Sequence, residues 1–184
     1  MRQSSIQKNH FGYARRGPIL LGSVMAACLS LAGCAEMGGY TDQSLYAEEV
    51  GSVCLEMFDN QTFWRGVEYA LSDALAKRIE AETPYKIISS PDRADTVMSG
   101  QIVRVTESVL TFERELGYAL EKQVQLHAVV NWKNLKTGQL LIDSKPVTAV
   151  ATYSEFQKQD FGYASALAAN KLAQKIVEMM EKNW

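Results

Sequence analysis

The sequence predicts an α+β two-layer sandwich, with two helices packed on one face of a four- to five-stranded, mostly antiparallel sheet. Three patterns carry that prediction. Val67, Leu71, Ala74, Leu75 and Ile79 recur at helical spacing. So do Ala164, Ala168, Leu172, Ile176 and Met179 near the C-terminus. Between the two stripes, Val124, Leu126, Ala128, Val130 and Trp132 alternate with Gln123, Gln125, His127 and Asn131. That alternation describes a strand with one covered face and one wet face.

The elements follow in order. Residues 51–58 read as a strand with Val53, Leu55 and Met57 on one face. Asp59, Asn60, Gln61 and Thr62 supply turn and N-cap chemistry for a helix over 63–81, whose Asp73, Lys77 and Glu80 face away from the stripe. Pro84 ends that helix by pushing Thr83 out of helical space. A short strand over 85–88 and a turn at Ser89-Ser90-Pro91-Asp92 follow. Residues 96–106 form a β-branched strand in which Ser99-Gly100 marks a bulge or a close approach. The turn over 134–139 contains Thr137-Gly138 and leads into strand pieces at 140–142 and 147–153, a long hairpin. A helix over 161–182 closes the chain. Trp64, Trp132 and Trp184 read as core or interface packing.

A chain of 184 residues with 47% hydrophobic and 22% charged side chains suits one folded domain. Its charge is unevenly placed. Lys and Arg total 19 against 21 Asp and Glu, and four of the basic residues (Arg2, Lys8, Arg15 and Arg16) precede residue 34, where there is no acidic residue. Residues 34–184 therefore hold 15 basic and 21 acidic side chains, a charge near −6. A nucleic-acid partner is not expected of so acidic a domain.

The first 33 residues read as an export signal. The basic stretch ends at Arg16, and an apolar run of 13 residues follows from Ile19 to Leu31. That is too short to span ~30 Å of hydrocarbon and fits a signal-peptide core. It ends in Leu31-Ala32-Gly33-Cys34, which resembles the bacterial lipobox. The resemblance implies cleavage before Cys34, a diacylglyceryl thioether on its sulfur and an acyl chain on its nitrogen. Together these chains make anchoring stable. Ala35 in the next position implies delivery to the outer membrane. The expected organisation is a signal over 1–33, a lipidated tether over 34–49 and one domain over 50–184.

The remaining chemistry is sparse. With Cys28 in the signal and Cys34 lipidated, Cys54 has no partner, and its setting between Val53 and Leu55 makes it a small buried hydrophobe. His10 lies in the signal, leaving only His127, so no metal site and no cofactor are expected. Asp59 and Asp92 suit turns, and Asp73 suits an exposed helix face. Ser72, Ser99 and Ser108 lack a Gly-x-Ser-x-Gly context, and no glycine-rich phosphate loop exists. The chain reads as a binding protein and not as an enzyme.

In sequence order, the chain shows a lipobox, Phe58-Asp59-Asn60-Gln61-Thr62-Phe63, then the helix Arg65 to Leu75 and Thr83-Pro84-Tyr85-Lys86-Ile87-Ile88. Ala94-Asp95-Thr96-Val97-Met98-Ser99-Gly100-Gln101-Ile102, a hairpin with a Thr137-Gly138 turn and a last helix follow. Over residues 48–182 this order and spacing resembles the lipopolysaccharide-assembly lipoprotein (LptE) family. The resemblance implies a two-layer sandwich that sits inside the outer-membrane β-barrel inserting lipopolysaccharide. There it would act as plug and assembly partner and could touch the lipid. The strand, Asn-Gln-Thr turn, helix and Ser-Gly strand also resemble lipoproteins of the curli-secretion and penicillin-binding-protein-activator type, which act by binding proteins.

Lipopolysaccharide offers phosphates and acyl chains, so a site for it needs cations beside an apolar or aromatic surface. One loop holds Phe112, Arg114, Tyr118 and Lys122, and the loop before the last helix holds Tyr153, Phe156, Lys158 and Phe161. Arg114 and Lys158 fall where the resembled family carries basic residues and are the candidate ligand contacts, although Glu113 and Glu115 flank Arg114. The lipobox generates the first prediction. Cys34→Ser abolishes acylation and leaves an uncleaved precursor or a soluble periplasmic form. Membrane fractionation and intact mass check this, and a variant that stays on the outer membrane with its mature mass unchanged contradicts it.

Overall fold

A computed structural model describes residues 44–181 except 114 and 116. Cys34, Arg114 and Trp184 lie outside the described residues, as do the signal segment and most of the expected tether. The elements are β1 (Ser52–Leu55), β2 (Asp59–Asn60), α1 (Val67–Glu82), β3 (Lys86–Ile87), β4 (Thr96–Phe112), β5 (Ala119–Asn134), β6 (Leu140–Tyr153) and α2 (Phe161–Glu178). The sheet runs β3-β1-β4-β5-β6, and β2 pairs with β4 just beyond β1. β1 is parallel to β3 and β4, while β4, β5 and β6 form an antiparallel meander. The result is a mixed but mostly antiparallel sheet with two helices packed on it, the expected α+β sandwich.

Burial follows the helical stripes. Val67, Leu71, Ala74, Leu75 and Ile79 are buried on α1, and Ala164, Ala168, Leu172 and Ile176 on α2. The small residues of α2 let it lie close to the sheet, over Val124, Leu126, Ala128 and Val130 of β5 and Val147, Ala149 and Ala151 of β6. Cys54 is buried as expected, and burial raises its thiol pKa.

Several boundaries differ from the sequence reading, for local reasons. β1 stops at Leu55 because the chain turns to bury Phe58 against Gly100. Met57 is consequently exposed and not on the inner face. A Cβ on Gly100 would lie 2.3 Å from the Phe58 ring and 2.6 Å from the Val129 carbonyl, so Ser99-Gly100 is a close approach. Asn60 does form the expected turn, accepting the Thr62 N–H at 2.9 Å. The helix nevertheless starts four residues later than expected, at Val67, because Gly66 takes a left-handed conformation at φ 95°. The Glu68 carboxylate accepts the Gly66 N–H at 3.0 Å in place of a side-chain cap. The two pieces expected at 140–142 and 147–153 are one strand, kinked where Ser144 stands at φ 45° and donates its N–H to Asn131 Oδ1 at 2.8 Å. β4 and β5 are each longer than expected, reaching Phe112 and starting at Ala119.

Element lengths set the shape. At ~1.5 Å per residue, α1 and α2 measure about 24 and 27 Å. At ~3.3 Å per residue β4 measures about 56 Å. The helices therefore cannot cover the meander, and the last buried residue of β4 is Val105, seven before its end. Helix α1 starts close after β2, which pairs at Gln101 and Ile102, and among the described residues no strand pairs with the outer edge of β4 beyond that level.

The opposite end is latched by Asp95. Its Oδ2 accepts the Gly51 N–H at 3.0 Å and the Ser52 hydroxyl at 2.9 Å, while Lys136 Nζ stands 2.5 Å from Oδ1. One carboxylate thus ties the start of β1 and the β5–β6 turn to the start of β4. Nearby, Tyr46 packs edge-on to Tyr85 at 5.7 Å, and the Ala47 N–H donates to the Tyr85 hydroxyl, so residues 44–49 lie against the domain.

Two predictions follow from this packing. Leu71→Ala and Val124→Ala each cost about 2–4 kcal/mol of stability in urea unfolding; losses below about 0.5 kcal/mol for both contradict the assigned inward face. The second concerns pH. The Lys136 and Ser52 bonds hold the Asp95 carboxyl down to about 2. A depressed folded pKa contributes stability that is present above the unfolded value of ~4 and lost as pH falls through the folded one. The advantage of wild type over Asp95→Asn is therefore steady above pH ~5 and closes between pH ~4 and ~2. A gap that is independent of pH across that window contradicts the latch.

Candidate functional site

The structure brings together the two loops that the sequence singled out. The β4–β5 connection and the β6–α2 connection meet at the end of the meander farthest from the Asp95 latch. The β4–β5 turn is closed by the Glu113 N–H donating to the Tyr118 carbonyl at 2.9 Å, with Gly117 at φ 70°. The β6–α2 loop is pinned where the Ser154 hydroxyl donates to the Leu120 carbonyl at 2.8 Å and the Ser154 N–H to Gln159 Oε1 at 3.0 Å. A short 3-10 turn over Glu155–Gln157 follows, with Lys158 in the left-handed region at φ 57°. Asp160 then caps α2 by accepting the Tyr163 N–H at 2.8 Å.

These turns set an apolar tip. Phe112, Tyr118 and Phe156 are 60%, 60% and 69% exposed. Tyr118, Ala119, Glu155 and Phe156 line a shallow cavity of about 300 Å³. Beside it lies an open groove of about 440 Å³, between Thr111, Leu120 and Glu121 on one side and Tyr153 and Gln157 on the other. Such a concentration of exposed aromatic side chains marks an interaction surface.

Of the residues expected here, Lys158 is exposed, and among the described residues it forms no salt bridge. Arg114 lies outside the described residues. Three others are placed differently. Lys122 is paired, its Nζ 2.5 Å from Glu155 and 5.9 Å from the centre of the Tyr153 ring, and the Glu155 bond pushes its pKa up. Tyr153 belongs to the core. Its hydroxyl donates to Glu107, and burial followed by that bond raises the phenol to about 12. Phe161 stacks on Trp64 at 3.8 Å and supports the start of α2. The charges described around the tip are Glu107, Glu113, Glu115, Glu121 and Glu155 against Lys122 and Lys158, a surplus of carboxylate.

The Glu107–Tyr153 contact joins residues 46 apart, and no sequence signal pointed to it. The same holds for Lys171 and Lys175 of α2, which donate to the carbonyls of Val150 and Thr148 on β6 at 3.1 and 2.7 Å. Both lysines look like solvated helix-face charges in the sequence, but they cap a sheet edge.

Elsewhere the chemistry is structural. His127 Nδ1 lies 3.0 Å from the Thr148 hydroxyl on the sheet face away from the helices, as the alternation implied. Asp73 pairs with Lys77 at 2.7 Å and Asp95 serves the latch. Among the described residues there is no group of three side chains able to hold a metal ion, and no helix is long and apolar enough to cross a membrane.

Comparison with known proteins places this architecture. A hypothetical protein from Chlamydia trachomatis matches with a TM-score of 0.50 at 10% identity, covering 70% of this chain and 94% of that one. The solution structure of uncharacterized lipoprotein B from Nitrosomonas europaea matches with a TM-score of 0.51 at 12% identity, covering 77% of this chain and 88% of that one. At these identities the likeness shows a shared fold. No curated protein matches the sequence. The model of the lipopolysaccharide-assembly family, LptE, matches residues 50–182, which include every element of the sandwich, and the chain therefore belongs to the lipopolysaccharide-assembly (LptE) family.

Proposed function

We propose that this chain is an outer-membrane lipoprotein, anchored by lipid on Cys34, that partners and plugs the β-barrel of the lipopolysaccharide translocon and helps assemble lipopolysaccharide at the outer-membrane surface. The family match over residues 50–182 carries the reading, because it spans the whole domain. The tip adds a physical reason. Exposed Phe112, Tyr118 and Phe156 offer an apolar surface to acyl chains or to a barrel wall, and Lys158 stands beside them. Arg114 and Lys158 are proposed to meet the phosphates of the glycolipid.

The surplus of carboxylate around the tip sharpens this proposal. Lys122 is engaged by Glu155, so a phosphate approaching the tip depends on the remaining cations. Anchoring through Cys34 places the domain on the periplasmic side of the outer membrane or in the barrel lumen. The family is one of non-enzymatic lipopolysaccharide-assembly lipoproteins, and a role by binding is proposed for this chain on that ground.

The test is the double variant Arg114→Asp with Lys158→Asp. Lys158 sits on an exposed loop in a left-handed conformation that aspartate tolerates, so the fold survives, with circular dichroism as the control. Binding to immobilised lipopolysaccharide falls about tenfold or more and loses much of its salt dependence. Co-purification with the barrel persists. Unchanged lipid binding by a folded variant rejects these two residues as the site, and loss of the barrel with lipid binding intact reassigns them to the protein interface.

A further inference from the structure

The two edges of the meander are finished in opposite ways. The β6 edge is protected against further pairing. Pro146 removes a donor, Ser144 kinks the strand at φ 45°, and Lys171 and Lys175 reach down from α2 to occupy the Val150 and Thr148 carbonyls. Kinks, prolines and lysines are the usual devices that blunt a sheet edge.

The β4 edge is used and then left open. β1 pairs with Thr96, Val97 and Met98, and β2 with Gln101 and Ile102; the Gln61 N–H donates to the Ile102 carbonyl at 3.1 Å. The chain then turns away into the loop that carries the fully exposed Phe63. From Val103 to Phe112 no described strand pairs with the outer edge, although β5 pairs with β4 along this stretch. In an antiparallel pair every second residue aims its N–H and C=O away from its partner, so about half of these backbone groups face outward. Register shifts fall at Ile102/Arg104, Val109/Thr111 and Thr111/Phe112, so the regular run of this edge is Arg104 to Val109; Val103, Val109, Leu110 and Phe112 are exposed.

From this contrast we infer that the outer edge of β4 from Val103 to Phe112 is a strand-addition site for an extended segment of a partner protein, continuing the line of β2. The backbone geometry selects a β-strand as occupant. The side chains select its character. Apolar residues on one face of the incoming strand meet Val105 and Val109, and Phe63 flanks the entry. At the tip end the described surplus of Glu107, Glu113, Glu115 and Glu121 calls for a basic end on the segment. The paired edge, Val103 to Phe112, adjoins but does not include the phosphate contacts proposed for Arg114 and Lys158, and strand addition needs no lipid.

The test uses the lipidated full-length chain in neutral detergent micelles, free of lipopolysaccharide, so that its outcome is independent of lipid binding. The probe is a ten-residue peptide alternating Val and Thr with a Lys pair at one end, compared with two relatives. One is N-methylated at every second residue, and one carries a Glu pair in place of the Lys pair. Amide hydrogen exchange is read by mass spectrometry. The Lys peptide at saturation slows exchange of the outward amides between Val103 and Leu110 at least tenfold, the methylated peptide leaves them unchanged, and the Glu peptide binds at least threefold more weakly. Exchange unaffected at millimolar Lys peptide overturns the site. Equal protection by the methylated peptide overturns strand addition in favour of adsorption on the aromatic tip. Equal binding of the Lys and Glu peptides overturns the basic occupant. Protection that rises with protein concentration alone assigns the edge to a second copy of this chain and overturns the heterologous one.

Discussion

The rest of the structure depends on a mismatch of lengths. A helix advances ~1.5 Å per residue and a strand ~3.3 Å, so helices of ordinary length cannot cover strands of equal residue count. Helices of 16 and 18 residues lie on a meander whose first two strands have 17 and 16 residues. Where helix and sheet overlap, the alternating apolar positions of β5 are buried without exception from Val124 to Trp132. Where they do not, β4 and β5 continue with β6 beside them as far as the Lys122–Tyr153 pair, and beyond it as a two-stranded ribbon held by backbone pairing. That ribbon carries Leu110, Phe112 and Tyr118 into solvent. A two-stranded ribbon alone is marginal in water, so its persistence rests on the buried half of the same strands and on the β6–α2 loop pinned beneath it.

The two ends of the sandwich are consequently built on different physics. At the latch end, Asp95 joins three segments through charge-assisted bonds, and Tyr46, Tyr85 and Trp132 pack as an aromatic cluster. The indole N–H of Trp132 is buried there with no hydrogen-bond partner among the described residues. At the tip end, carboxylates are spent on holding the loops: Glu107 accepts from Tyr153, and Glu155 holds Lys122. Among the described residues, the tip's remaining surface is aromatic with more carboxylates than cations, and its exposed aromatic side chains suit it to meeting a partner.

How much of this was legible in the sequence depended on whether a residue's role was periodic. Both helical stripes and the β5 alternation report burial, and the structure buries those positions except Met179, which is partly buried just past the end of α2. The ends of β4 and β5 did not announce themselves, because Glu107, Ser108, Glu121 and Lys122 are held by pairing outside the core, where alternation of hydrophobicity has no cause. The helix start was misplaced because Asn60 and Thr62 form a free-standing turn, while Gly66 sets the boundary. At the candidate site, loop proximity was foreseeable from the hairpin-plus-helix order. The pairing of Lys122, the burial of Tyr153 and the stacking of Phe161 on Trp64 were not, since each is a contact between residues distant in the chain.

Membership of the lipopolysaccharide-assembly family places the chain among envelope lipoproteins, and the architecture suggests a division of labour. The latched half supplies stability, and the projecting half, with its open edge and aromatic tip, is free to meet something else. The proposed occupant of that role is the translocon barrel. The most direct measurement is purification of the lipidated chain from detergent-solubilised outer membrane, with the partner identified and its stoichiometry determined. A single large β-barrel recovered one to one is the expected result. Recovery of a cell-wall synthase or a secretion pore in that ratio, or of the lipoprotein alone from intact outer membrane, would contradict it.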